Sequence, residues 1–228
     1  MNIAIIPARG GSKRIPRKNI KEFCGKPMIA YAIAAAKESG LFDHIIVSTD
    51  DAEIAHIARE WGAETPFVRP DELANDFTAT VPVIAHAIGV CRNLGWKFDY
   101  VCCIYPSVPL IQVADIQGAY NCLIDNEVDS CYPVTEFQSA PQRALKRIRD
   151  GSMKYFYPEF RLTRTQDLEP AFYDVGQFYW GKTIAWELRN NIADGIGYPI
   201  PNWRVVDIDT VDDWKRAELY CQAVKSAL

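Results

Sequence analysis

Asn2-Ile3-Ala4-Ile5-Ile6-Pro7 runs directly into Ala8-Arg9-Gly10-Gly11-Ser12-Lys13-Arg14-Ile15-Pro16-Arg17-Lys18-Asn19-Ile20, and the rest of the chain is read outward from this junction. The first six residues are almost continuously apolar, the pattern of a strand buried on both faces of a parallel sheet. The next thirteen are rich in glycine and cationic side chains, and they start where that strand ends. Open α/β sheets hold ligands in the crevice beyond the carboxyl ends of their strands. Gly10 and Gly11 permit a tight turn that brings backbone N–H groups against a ligand. Six basic residues between Arg9 and Lys21 supply the charge that a polyphosphate would satisfy. The spacing matches neither GxxxxGK[ST] nor GxGxxG. A solvated basic loop is the competing reading, disfavoured by its place at the strand end.

Beyond the loop, Pro27 opens a helix over 27–37 with Met28, Tyr31, Ala32 and Ala35 on one face, and Gly40 ends it. His44–Ser48 reads as a strand, and Asp50 or Asp51 caps a helix over Ala52–Glu60 that Gly62 closes. A short strand over 65–68 and a polar loop over 69–76 come next. A helix over 79–93, a strand over 100–105, a helix over Val113–Asp125 and a strand over 130–134 complete the regular part. Such alternation predicts βαβ units, hence an α/β fold with a Rossmann-like, mainly parallel sheet flanked by helices. The pattern breaks over 135–174, where a hairpin about Asp150-Gly151 and an irregular stretch read as an inserted excursion. A strand over 175–180, a helix over 182–189, a last core strand over 204–206 and a closing helix over 211–224 finish one domain of 228 residues.

Composition narrows the function. Hydrophobic residues make up 49% of the chain and charged ones 24%, so a packed core is expected and disorder is not. The formal net charge of −4 argues against a nucleic-acid partner, which needs a basic footprint. A local cationic loop in an acidic chain suits a small anionic ligand instead. The run from Met1 to Pro7 has no basic leader, and no stretch has the length of a membrane span. Seven cysteines, odd in number and without a CxxC pair, point to neither a disulfide framework nor a zinc site. The expectation is a cytoplasmic protein with no membrane partner.

Asp207-Ile208-Asp209 is the second chemical signal. Residues i and i+2 of an extended segment face the same side, so both carboxylates can serve one site. With triphosphate oxygens they suit Mg²⁺, which takes one or two protein carboxylates and keeps waters. Thr210 and Asp212-Asp213 leave a helix cap as the alternative. No partner spacing supports a role for His44, His56 or His86, and the tryptophans read as packing residues.

Together with Val47-Ser48-Thr49-Asp50, Arg69-Pro70, Glu72-Leu73, Asp76 and Tyr105-Pro106-Ser107-Val108-Pro109-Leu110, these segments resemble the CMP-sialic acid synthetases (acylneuraminate cytidylyltransferases) in order from Met1 to about Val224. Thr163-Arg164-Thr165-Gln166-Asp167-Leu168 and Asp174-Val175-Gly176-Gln177-Phe178-Tyr179-Trp180 look most like the branch that acts on pseudaminic acid. The resemblance implies a nucleotidyltransferase-type fold and transfer of CMP from CTP to the anomeric hydroxyl of a nonulosonic acid, with release of pyrophosphate. By position it implies that Arg9, Lys13 and Lys18 hold the triphosphate, helped by Ser12 and by the backbone of Ala8, Gly10 and Gly11. Asn19, Arg69 and Thr80 would fix the cytidine, and Asp76 would brace that loop. Arg9, Lys18 and Asp209 are the implied catalytic groups, and Asp207 and Asp209 the implied Mg²⁺ ligands. The family further implies a homodimer in which the 135–174 excursion closes the sugar site, with Arg143 and Arg164 reaching the sugar carboxylate from the partner chain. Ser107-Val108-Pro109 and Val175 depart from the sialic-acid pattern of Thr-Ser-Pro and Asn. They favour a less hydroxylated sugar with more apolar substituents, read by Tyr105, Ser107, Gln177 and Tyr179. Legionaminic acid, N-acetylneuraminic acid or a shorter ulosonic acid are the rival acceptors, and a non-catalytic nucleotide-binding module is the rival of another class. The implied product feeds a bacterial surface glycan or a glycosylated flagellin.

Overall fold

The computed structural model describes residues 1–188, 192 and 194–227, the last four by their backbone. Along the chain come β1 (Asn2–Pro7), the two-residue strands β2 (Glu22–Phe23) and β3 (Lys26–Pro27), α1 (Met28–Ser39), β4 (His44–Ser48), α2 (Ala52–Glu60), α3 (Thr80–Asn93), β5 (Tyr100–Ile104) and α4 (Val113–Asp125). The second half holds β6 (Ser130–Glu136), β7 (Leu145–Arg147), β8 (Met153–Tyr155), β9 (Phe172–Asp174), β10 (Phe178–Lys182), α5 (Thr183–Leu188), β11 (Ile196–Pro199) and α6 (Val211–Ala227). The main sheet has the order β11-β6-β10-β5-β1-β4, with β9 added to β6. β1 is parallel to both β4 and β5, and β11 is parallel to β6. β10 runs antiparallel between β5 and β6.

The apolar run of β1 is explained by helices on both faces of the sheet. Ala4 and Ile6 pack with Ile29 and Ile33 of α1, Ile54 of α2, Ile116 of α4 and Trp180. Ile3 and Ile5, on the opposite face by strand alternation, pack with Ile84 and Ile88 of α3 and Trp186 of α5. A third cluster of Ile15, Phe23, Met28, Ile208 and Trp214 joins the end of the cationic loop to α6. Phe23 meets Trp214 edge to face at 5.3 Å between centroids, and each such ring contributes on the order of 2 kcal/mol by burial. That cluster fixes Asp207-Ile208-Asp209 beside the first loop, although nearly 200 residues separate them in the chain.

The expected α/β fold is present, and so are nearly all of the expected elements. The 65–68 segment is not a strand: Pro66 cannot donate to a ladder, and only an isolated bridge between Ile46 and Glu64 forms there. The 204–206 segment is likewise no core strand. It comes after a 3₁₀ turn at Asn202–Arg204, and the parallel strand of this region is β11. The strand expected over 175–180 is displaced to β10, because Gly176 turns at φ 67° and delays pairing. α5 spans Thr183–Leu188; residue 189 of the expected helix lies outside the described residues. The excursion leaves the sheet at β6 and returns by β9, which pair with each other, and it carries the β7–β8 hairpin. Leu145, Met153, Phe156 and Leu162 are exposed on it.

Candidate active site

The loops after β1 and β5, with segments 69–80, 173–179 and 205–209, line a cavity of about 640 Å³. Its floor is set where the loop after β1 interlocks with the end of β4. The Gly10 N–H donates to Asp50 Oδ1 at 2.9 Å, and a Cβ on Gly10 would stand 2.8 Å from Asp51 Oδ2. Only glycine fits there without moving Asp51. That carboxylate caps α2, accepting from the N–H groups of Glu53 and Ile54 at 3.0 and 2.9 Å, and takes Arg17 bidentately at 2.5 and 3.0 Å. The Arg17 contact, then the cap bonds, holds the Asp51 carboxyl down at about 2. Asn19 is buried and donates to the Arg9 carbonyl at 2.9 Å.

The six loop cations divide by task. Arg9, Lys13, Arg14 and Lys18 line the cavity. Arg17 is held by Asp51 and Glu53, and Lys21 stacks on Trp214 at 4.6 Å. Arg9 reaches Asp76 Oδ1 at 2.9 Å and the Asn75 carbonyl at 2.8 Å, and Lys13 also pairs with Asp76. The Lys13 contact, with Arg9 beside it, keeps the Asp76 carboxyl below the usual carboxylate range. Lys18 donates to the Ile208 carbonyl at 2.8 Å and lies 3.7 Å from Asp209, while Arg14 meets Asp209 at 2.8 Å. Burial lowers the Lys18 ammonium from its ordinary value despite the two aspartates nearby. Asp207 is raised, first by burial and then by the charge of Asp209.

Arg14 and Lys18 both reach Asp209, while Asp207 takes no ion pair among the described residues. Among the described residues no group of three or more His, Cys, Asp or Glu side chains is arranged to hold a metal. Asp207 and Asp209 offer oxygen donors only, and a hard divalent cation completed by phosphate oxygens fits that set. It would also offset the repulsion that raises Asp207.

Elsewhere on the wall, Arg69 is buried, donating from Nε to Ser48 Oγ at 3.1 Å and from a terminal nitrogen to the Ser48 carbonyl. Burial brings its guanidinium down to about 10, against the pull of Asp50. Thr80 Oγ1 lies 2.9 Å from the Tyr105 hydroxyl, and Tyr179 donates to Asp174 at 2.7 Å. Both phenols are raised, chiefly by burial. Ser107 also lines the cavity.

The structure therefore brings Arg9, Ser12, Lys13, Lys18, Asn19, Arg69, Asp76, Thr80, Tyr105, Ser107, Tyr179, Asp207 and Asp209 to one cavity. Ala8 is buried beneath it, and Gly10 shapes its floor from behind. Gln177 does not line the cavity: its amide donates to the Arg204 carbonyl at 3.1 Å. Arg143 and Arg164 stay on the excursion, within 3.4 Å of Thr165 and bidentate to Asp167 respectively, away from this chain's cavity. Arg14, read in the sequence only as one of the six loop cations, lines it too, and so do Asn75, Tyr173 and Asp174, which had no assigned role. An Asp-x-Gly turn at the mouth of a strand was the available signal for Asp174.

A crevice at the strand ends that gathers four cations and the Asp207/Asp209 pair has the charge arrangement a nucleotidyltransferase needs. The family model described as cytidylyltransferase matches residues 3–173. A pseudaminic acid cytidylyltransferase of Campylobacter jejuni subsp. jejuni serotype O:2 is 39% identical over 220 residues, covering 96% of this chain and 95% of that one. A CMP-N,N'-diacetyllegionaminic acid synthase of Legionella pneumophila is 37% identical over 117 residues, 51% of this chain and 50% of that protein. The solved structure of a CMP:2-keto-3-deoxy-manno-octonic acid synthetase complexed with CTP superposes with a TM-score of 0.71 at 16% identity, covering 97% of this chain and 98% of that one. The chain belongs to the cytidylyltransferase family, and it is a CTP-dependent nucleotidyltransferase.

Proposed function

We propose that this protein transfers CMP from CTP to the anomeric hydroxyl of pseudaminic acid. The hydroxyl oxygen attacks the α-phosphorus in line and releases its proton to solvent, a P–O bond forms to the sugar, and the bond to pyrophosphate breaks. The observation that carries this reading is the convergence of Arg9, Lys13, Arg14 and Lys18 on one cavity with Asp207 and Asp209, in a chain of this family. Identity of 39% over 96% of the chain to proteins named for pseudaminic acid supports the choice of acceptor.

Arg9 and Lys13 hold the triphosphate by exchanging Asp76 for phosphate oxygens. Lys18 and Arg9 offset charge that develops on the α-phosphate and on departing pyrophosphate. Asn19, Arg69 and Thr80 line the nucleoside end. Mg²⁺ bound by Asp207 and Asp209 would supply charge neutralisation on phosphate oxygens and a lower pKa for the attacking hydroxyl. The exposed apolar residues of the excursion favour a homodimer, with Arg143 and Arg164 entering the partner's sugar site. Among the described residues no helix is long and apolar enough to cross a membrane, in keeping with a cytoplasmic enzyme that feeds a surface-glycan pathway.

Pyrophosphate release from CTP and Mg²⁺ should be measured with pseudaminic, legionaminic and N-acetylneuraminic acids in separate reactions. Release with pseudaminic acid alone or in strong preference is expected. Preference for another acid would overturn the acceptor, and release with none of the three would overturn the reaction.

A further inference from the structure

Of the four carboxylates that line the cavity, Asp207 stands beside Asp209 within the field of Lys18, and Asp174 lies apart on another wall. Asp76 and Asp209 are each paired with two cations. Asp174 also lines the cavity, yet among the described residues it takes no ion pair and bonds only neutral donors. Its Oδ1 accepts from the Gly176 N–H at 2.8 Å, and its Oδ2 from the Tyr179 hydroxyl at 2.7 Å. A carboxylate has about four acceptor positions, so roughly two remain. The Tyr179 proton is committed to Asp174, which leaves that hydroxyl able only to accept from elsewhere. This part of the wall therefore presents acceptors and an unneutralised negative charge. It repels phosphate and carboxylate groups, and the ligand group that fits it is a neutral hydrogen-bond donor.

Sheet order says which ligand that is. β1 lies between β4 and β5, and β10 is next to β5 on its other side. Arg69 is bonded to the end of β4, whereas Asp174 sits in the turn that enters β10, across β1 from it. The phosphate cations come from the loop after β1, between the two. A nucleotide with its base toward Arg69 leaves Asp174 to the acceptor. Tyr173 and Asp174 also border a shallower hollow of about 390 Å³, where Val134, Phe172, Pro199 and the ring of Tyr132 offer apolar contact. A donor with an alkyl end beside it matches both features, and a secondary amide has that form.

We infer that Asp174 is a specificity-determining residue that accepts a hydrogen bond from the N–H of an acylamido substituent on the acceptor sugar, whose acyl carbons lie against the adjoining apolar hollow. The inference rests on the acceptor class proposed above. It is tested with wild type, D174N and Y179F on two acceptors that differ only in one substituent, acetamido or acetoxy, the ester lacking the N–H. Wild type should prefer the amide by roughly 10- to 100-fold in kcat/KM, the worth of one hydrogen bond to a charged group. D174N should bring that ratio close to one without moving the KM for CTP. Y179F keeps the carboxylate, so it should keep the preference. An amide-to-ester ratio near one in wild type overturns the inference, whatever the variants' stability. So does an equal loss on both acceptors in D174N, the mark of a merely structural role. Absence of turnover with any nonulosonic acid would instead bring down the acceptor reading, and this inference with it.

Discussion

Lys18→Met separates catalysis from folding more cleanly than any other change in this site. Lys18 is 22% exposed, donates to the Ile208 carbonyl at 2.8 Å, and lies 3.7 Å from Asp209. Losing a hydrogen bond from a charged donor costs about 1.5–3 kcal/mol. Against it stands the desolvation of the ammonium, which is the largest influence on its pKa and acts downward. Methionine fills much the same volume and removes that penalty, so the net loss of stability is about 1 kcal/mol and the fall in Tm roughly 2–4 °C for a chain this size. The catalytic loss is of another order, about 10²–10³ in kcat, if Lys18 meets charge developing on the phosphates. Pyrophosphate release at saturating CTP and acceptor reads the second quantity, and calorimetry the first. Because the folded-state pKa is depressed below 10.5, the burial penalty is fully present at neutral pH and is relieved as pH rises through the folded value toward 10.5. Wild type should therefore gain on K18M over that window. A K18M protein within threefold of wild-type kcat, or one whose Tm collapses with its activity, refutes this account.

Asp209→Asn should lower kcat at saturating Mg²⁺ by about 10²-fold or more and raise the Mg²⁺ needed for half-activity; an unaltered Mg²⁺ titration would count against the metal assignment. Asp51→Asn keeps the cap on α2 but loses the Arg17 pair, about 1 kcal/mol after solvent screening. Since the Asp51 pKa is lowered to about 2, the stability gap to wild type should be complete above about pH 4 and close as pH falls toward 2; urea midpoints across that range decide it. Asp115→Ala leaves Arg204 unpaired beneath the sheet edge and should cost about 3–5 kcal/mol, visible as a Tm loss of about 10 °C. Mixing K18M with R164A subunits should restore about a quarter of wild-type activity when Arg164 acts across a twofold interface, and none when it acts within its own chain.

Much of the fold is legible in the residues themselves. β1, β4 and β5 announce themselves because a strand covered on both faces needs an unbroken apolar run. The Asp150-Gly151 turn gives the β7–β8 hairpin away by local chemistry alone, with Gly151 at φ 87°. β11 escapes such a reading because Ile196-Gly197-Tyr198-Pro199 has the composition of a loop. Its order comes from β6, which its backbone joins in register from Ile196 to Pro199, and Gly197 is packed against Val134. Val205-Val206 gives the opposite error, an apolar pair that packs without pairing. The antiparallel direction of β10 has no local signature, because it depends on which neighbours the strand finds.

The same boundary runs through the site. Cationic side chains crowded into one loop are visible in sequence, but their division of labour depends on carboxylates from elsewhere. Arg17 meets Asp51 because β1 and β4 are adjacent in the sheet, and that pair also carries the α2 cap, so it holds the floor of the cavity. Arg9 and Lys13 meet Asp76 on a loop that faces solvent, where screening makes an ion pair weak and exchangeable. In the proposed binding mode a triphosphate, with several charged oxygens and bidentate geometry for the guanidinium, displaces one exposed carboxylate from those two cations. Its arrival must release Asp76, and with it the tie that holds the 71–78 loop to the cation loop. That binding mode links nucleotide binding to movement of the loop through the same two side chains, whereas the Arg17–Asp51 floor keeps its contacts.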